Sequence, residues 1–195
     1  MVLRYLRLFV AVNFSDRTKN RIESLINQLK IIPADAKWVS RDNLHITLKF
    51  LGNVPEDQVP ALVFALKGAA EGIAPIKLEL GGFGLFPGSS RPRVFWLGSA
   101  GQLAMLSQLH DHVQTALERI GMKVEKKRFT PHLTLARLRS PARIDEIMEE
   151  AAQLTANDRI LASETIKSFE LMSSILGQKG PTYAIMTKIQ LKNNN

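Results

Sequence analysis

Two histidines, His45 and His132, each stand two residues before a threonine, Thr47 and Thr134. The segments read His45-Ile46-Thr47-Leu48 and His132-Leu133-Thr134-Leu135, polar and apolar in alternation. Such alternation marks a β-strand, in which side chains two apart share a face at a spacing of about 7 Å. A strand with one polar face is not buried on both sides, so each histidine should look into a cleft. Brought together, the two strands would supply two imidazoles and two hydroxyls. Imidazole titrates near neutrality, so one ring can act as a base while the other, protonated, acts as an acid. The hydroxyls can donate to oxygens on which negative charge builds. That set suits a phosphodiester, where a nucleophilic water loses a proton and a leaving alkoxide gains one. It needs no metal and no cofactor, and none is expected.

The other histidines do not extend the set. His110 and His112 lie two apart in a helical segment, which points them away from each other, whereas a helical metal pair wants i, i+4 spacing. His110 shares a face with Leu106, Val113 and Leu117 and reads as tucked at the edge of the core. The chain has no cysteine, which excludes disulfides and thiolate metal sites and points to the cytoplasm. It carries 26 Lys and Arg against 18 Asp and Glu, a net charge of +8. With no arginine-rich arm, that charge sits on the folded body and favours anionic partners, nucleic acid and nucleotides first. The opening apolar run is too short to span a bilayer and has no cleavage-like site before Asn13 and Phe14. No membrane partner is expected, and the protein is expected to be a monomer.

The elements that must position these residues follow from periodicity. Leu3 to Phe14 predicts a first strand. Ser15 and Asp16 open a helix carrying Ile22, Leu25, Ile26 and Leu29, which Pro33 ends. A short strand at Lys37–Val39 and a turn at Arg41–Asn43 precede the strand His45–Leu51, with His45, Thr47 and Lys49 on one face and Ile46, Leu48 and Phe50 on the other. Gly52 to Pro55 leads into a helix running to about Ala70. Strands at Ile76–Leu80 and Val94–Gly98 flank a Gly- and Pro-rich loop, Gly81–Arg93. The second half repeats the series: a helix Gln102–Ile120 capped by Gly121, a short strand Met122–Lys126, the strand from His132, a helix begun by Ser140 and Pro141, and strands over Arg159–Leu171 and Tyr183–Leu191. The terminal asparagines should fray.

The halves overlay at an offset of 87 residues, the distance from His45 to His132. The offset carries strand onto strand and helix onto helix, with Ile22 over Leu109 and Ile26 over Val113. The expectation is one bilobal domain over residues 1–195, α/β (α+β) in class. Its pseudo-two-fold lobes would span roughly 1–85 and 90–172, with a last strand at 182–191. Antiparallel sheets would line a central cleft and helices would lie outside.

The segments NLHITLKFLG (Asn43 to Gly52) and FTPHLTLARL (Phe129 to Leu138) resemble the signatures of the two-histidine phosphoesterases. The chain is most similar to the RNA 2′,3′-cyclic phosphodiesterases, also called 2′-5′ RNA ligases. RLFVAV (Arg7 to Val12), FGLFPGSSRPRVFWLG (Phe83 to Gly98) and SSILGQKGPTY (Ser173 to Tyr183) extend the likeness over essentially the whole chain. The resemblance implies the bilobal fold and hydrolysis of a 2′,3′-cyclic phosphate to a 2′-phosphomonoester. It implies His45 as the acid protonating the 3′ oxygen and His132 as the base activating water, although local pattern alone would allow the labels to be exchanged. Thr47 and Thr134 would bind phosphate oxygens. The substrates implied are RNA ends or tRNA fragments bearing a cyclic phosphate, or small cyclic nucleotides, with reverse 2′-5′ ligation open to the same site.

In this family an arginine commonly follows the second motif, and Arg137 takes that place. Its parity is odd with respect to His132 and Thr134, so it reaches a phosphate only if the strand bends or bulges after Ala136 or its side chain wraps the strand end. Lys127 and Arg128 are alternative cleft cations. Phe14, Phe50 and Tyr183 are candidates for base stacking, although parity favours core packing for Phe50. The rival function is a non-catalytic RNA-end or nucleotide binder, which would have no need of two acid/base groups.

Overall fold

The computed structural model describes residues 4–125, 127–178 and 180–192. Leu3, Lys126, Lys179 and residues 193–195, on which parts of the sequence reading fall, lie outside these. Nine strands and four α-helices follow in chain order: β1 (Tyr5–Asn13), α1 (Asp16–Leu29), β2 (Ala36–Trp38), β3 (His45–Pro55), α2 (Val59–Ala69), β4 (Ile76–Phe86), β5 (Val94–Gly101), α3 (Leu103–Glu118), β6 (His132–Leu138), α4 (Ile144–Leu154), β7 (Ala162–Ile166), β8 (Ser168–Gly177) and β9 (Gly180–Gln190).

All the strand pairings are antiparallel. The order is β7-β4-β5-β6-β3-β1-β8-β9, with β2 on β6. The two His-x-Thr strands are therefore neighbours at the middle of one sheet, joined at the single pair Ile46–Leu133. β1 flanks β3 as β5 flanks β6, which gives the pseudo-two-fold relation its axis between β3 and β6. The fourth strand of each half crosses over: β4 pairs with β5, and β8 pairs with β1. A single residue, Lys167, separates β7 on one flank from β8 on the other, so the sheet curls into a half-barrel.

Helix stripes cover the outside of this curl. Ile22, Leu25, Ile26 and Leu29 of α1, and Leu106, Leu109, Val113 and Leu117 of α3, are all buried in one core with the strands' inner faces. A carboxylate ties α1 to β7, with Ser15 donating its backbone N–H and its hydroxyl to Glu164, each at 2.9 Å. On the opposite face of the sheet Phe9, Ala11 and Met172 form a small buried apolar cluster, with Tyr183 against it.

Several predicted boundaries shift for tertiary reasons. The segment 81–86 belongs to β4 and not to a loop. Gly81 is required there because a Cβ would lie 2.1 Å from the Arg159 carbonyl oxygen, and Gly84 because one would lie 2.0 Å from the Trp96 ring. The single strand expected over Arg159–Leu171 is two, β7 and β8. Residues 122–125 form no strand, because their carbonyls serve side chains: Lys123 O accepts from Lys49 Nζ at 2.7 Å and Glu125 O from Gln114 at 3.4 Å. The fourth helix begins at Ile144, after Arg143 in the left-handed region at φ 61°, and not at Ser140–Pro141.

Candidate active site

The register Ile46–Leu133 places both polar faces on the same side of the sheet. One residue to either side sets His45 opposite Thr134 and Thr47 opposite His132. The histidines then occupy a diagonal, which spans about 7–8 Å between backbones in a regular pair. All four residues line one cavity of about 390 Å³ on the open face of the sheet.

Each imidazole is anchored alike. His45 Nδ1 lies 2.6 Å from the Asn43 carbonyl, and His132 Nδ1 lies 2.8 Å from the Thr130 carbonyl. In each case the carbonyl belongs to the residue two before the ring. A carbonyl only accepts, so Nδ1 carries the proton and Nε2 is left for chemistry. His45 Nε2 sits 3.0 Å from Thr47 Oγ1, whose hydroxyl donates to the neutral ring. Asn43 is itself fixed, donating from Nδ2 to the Pro181 carbonyl at 2.8 Å. The turn before it is pinned to α1 by Arg41, which reaches Asp16 at 2.5 Å and Asn20 at 2.6 Å.

Aromatic rings wall both histidines. Phe9 and Tyr183 pack on His45 with centroids at 5.1 and 5.4 Å. Phe86 and Trp96 pack on His132 at 4.9 and 6.1 Å. Burial lowers the pKa of His45 to about 4; the bond to the Asn43 carbonyl opposes the drop, and Lys19, His132 and Arg137 add to it. In the open cleft His45 is therefore neutral at pH 7.

Two β-bulges decide what stands beyond the threonines. Val10 pairs with Lys49 and Ala11 with Thr47, so one residue of β3 is extra at Leu48. Phe95 pairs with Ala136 and Trp96 with Thr134, so β6 has the same excess at Leu135. An extra residue reverses the alternation after it. Lys49, expected beside Thr47, is instead buried at 2% exposure, and Phe50, expected in the core, is 61% exposed and lines the cavity. Its counterpart 87 residues on, Arg137, turns into the cavity by the same device, one residue earlier than the bend the sequence would have required. Lys49 is held by Gln114 and the Lys123 carbonyl, and burial lowers its pKa.

The other candidates separate clearly. Tyr183 lines the cavity, but Phe14 is buried in the core. Lys127 and Arg128 are exposed and outside the cavity. His110 is buried and stacks on Phe129 at 4.2 Å. Among the described residues no group of three or more His, Asp or Glu is placed to hold a metal ion. Among them, too, no helix is long and apolar enough to cross a membrane. Sequence reasoning missed Asn43 as an anchor and Phe9, Phe86 and Trp96 as walls. The 87-residue offset, which carries Phe9 onto Trp96, was a usable signal for one pair.

The model of the LigT-like phosphoesterases matches the chain twice, over residues 12–96 and 97–183, one match to each half. The chain belongs to that family. Among its relatives are an RNA 2′,3′-cyclic phosphodiesterase of Thermotoga maritima, 29% identical with 96% of each chain covered, and one of Aeropyrum pernix, 32% identical over 79% of this chain and 85% of that one. The solved structure of TT0787 from Thermus thermophilus superposes with a TM-score of 0.79 at 26% identity, covering 97% of this chain and all of that one. The doubled family match and the doubled His-x-Thr strand are the same repeat seen in two ways.

Proposed function

We propose that this LigT-like phosphoesterase hydrolyses the 2′,3′-cyclic phosphate at an RNA end, leaving a 2′-phosphomonoester and a free 3′ hydroxyl. The observation that carries this reading is the pair of imidazoles anchored identically through Nδ1, with both rings at one cavity. His132 takes a proton from water as its oxygen attacks phosphorus, and His45 gives a proton to the 3′ oxygen as the P–O3′ bond breaks. Thr47 and Thr134 donate to the non-bridging oxygens, and Arg137 balances the charge that builds on them. The exposed ring of Phe50 offers a stacking surface for the terminal base. A 5′ hydroxyl in place of the water, deprotonated by the same His132, would give the reverse 2′-5′ ligation. Relatives named as RNA 2′,3′-cyclic phosphodiesterases support the substrate class.

The test is to incubate the protein with a nucleoside 2′,3′-cyclic phosphate in the presence of a chelator and identify the product isomer. The 2′-monophosphate is expected. Release of the 3′ isomer would overturn the assignment of the leaving oxygen, and no turnover would overturn the function.

A further inference from the structure

On the phosphodiesterase reading, the open question is how much of the RNA the cleft grips. Lys37 of β2 stands directly opposite Arg137 of β6, and both line the cavity. Like charges directly opposed across an antiparallel pair destabilise the sheet, an arrangement that makes sense where an anion is to lie between them. Among the described residues neither cation has a carboxylate within ion-pair distance.

Lys37 also reaches the start of β9. Its Nζ lies over Gly180 at the start of β9, where an added Cβ would come within 2.7 Å of it. Gly180 is three residues from Tyr183, about 10 Å along the strand, and Tyr183 packs on His45. The ammonium thus stands at the start of β9, against a wall of the same cavity. Positive charge continues outward from there. Arg93 and Arg139 are exposed at the adjoining ends of β5 and β6, joined by a bond from Arg93 to the Arg139 carbonyl at 3.3 Å. Asp35, 3.7 Å from Arg139, is the one acid paired with them among the described residues. A second cavity, beyond Asn13, mixes Lys19, Lys167 and Lys188 with Glu164 and Glu170 and is nearer balance.

We propose that Lys37 and Arg137 form a subsite for the phosphodiester on the 5′ side of the terminal nucleotide. Arg137, with five donors in a planar fork, faces both phosphates, and Lys37 serves the outer one. The protein accordingly prefers an RNA strand to a mononucleoside 2′,3′-cyclic phosphate, and the strand leaves the cleft over Arg93 and Arg139.

The test compares kcat/KM for a short oligoribonucleotide ending in a cyclic phosphate with that for cytidine 2′,3′-cyclic phosphate. The ratio should favour the oligonucleotide, fall about tenfold in Lys37→Gln, as expected for one charge-assisted contact, and recover in Lys37→Arg. Equal kcat/KM for the two substrates, or a ratio unmoved by Lys37→Gln, overturns the subsite. Fluorescence anisotropy with an oligoribonucleotide ending in a 2′-phosphate gives a readout independent of turnover. The slope of log affinity against log salt should shrink by about 0.7 in Lys37→Gln, and an unchanged slope overturns the proposal. Absence of hydrolysis of both substrates would sink the proposed function, while the salt slope would still decide the subsite.

Discussion

Under the proposed roles His45 must hold its proton when the alkoxide departs, yet it is neutral in the open cleft at pH 7, its pKa pulled to about 4 chiefly by burial. Protonating a group about three pH units above its pKa costs about 4 kcal/mol. A phosphate charge about 4 Å from an imidazolium gains about 4 kcal/mol at an effective dielectric constant of 20. The two terms match, so the bound anion alone brings His45 to about half protonation near pH 7. The expected result is a His45 imidazole that titrates by NMR near pH 4 in the free protein and near neutrality when saturated with a nucleoside 2′-monophosphate. His45→Gln identifies the signal. By linkage the same ligand binds more tightly as pH falls toward that midpoint. A midpoint that stays below about 5 with ligand bound would refute the reasoning, and the acid and base roles of His45 and His132 would have to be exchanged.

The depressed pKa also has a sign in stability. Between pH 6.5 and about 4 the unfolded chain binds a proton that folded His45 refuses. The stability tied to neutral His45 is therefore complete above 6.5 and lost through that window, by on the order of 2–3 kcal/mol. In urea melts at pH 7 and pH 4, the loss of unfolding free energy on acidification should be larger in the unchanged protein than in His45→Gln by that amount, and identical pH dependence would contradict it. Replacing either His45 or His132 with Ala should lower turnover of a cyclic phosphate by about a hundredfold or more; near-normal rates in either variant remove that ring from the mechanism. Phe50→Ala should raise KM roughly tenfold, the lower end of what one base stack contributes, with kcat little changed; an unaltered KM would mean the base lies elsewhere. Lys49→Ala deletes a buried stem and strands Gln114 and the Lys123 carbonyl, so chemical denaturation should show a loss of about 2–4 kcal/mol. A loss below about 1 kcal/mol would mean that water replaces it freely.

What could be read from the sequence, and what could not, divides at the bulges. His45, Thr47, His132 and Thr134 precede the extra residue in each strand, so simple alternation put them on one face, and the register across Ile46–Leu133 agrees. Lys49 and Phe50 follow it and were assigned to each other's faces. Nothing in ITLKFLG marks the bulge, because it arises where β3 meets β1 and not within β3. Gly81 and Gly84 read as loop residues because glycine usually serves turns, whereas here each makes room for a neighbour, the Arg159 carbonyl and the Trp96 ring. The change of partner at Lys167 carries no Gly or Pro to announce it, since only the curl of the whole sheet requires it. The helices were the most legible elements, because Ile22 to Leu29 and Leu106 to Leu117 meet the core through their own periodicity.

The repeat itself explains why the bulges matter. Two imidazoles and two hydroxyls placed by a two-fold axis surround a phosphorus atom almost symmetrically, and a symmetric site cannot tell which ester oxygen should leave. An RNA end is not symmetric: a base projects on one side of the cyclic phosphate and the chain continues on another. At equivalent positions just past the equivalent bulges, one half presents the ring of Phe50 and the other the guanidinium of Arg137, with Lys37 opposite it. Under the proposed chemistry, those unlike residues orient the substrate, and orientation decides which oxygen meets His45. The duplicated motif thus supplies reactivity, while the departure from duplication one turn of the pleat later supplies direction. On this argument the choice between 2′ and 3′ product is set by Phe50, Arg137 and Lys37 more than by any difference between the two histidines.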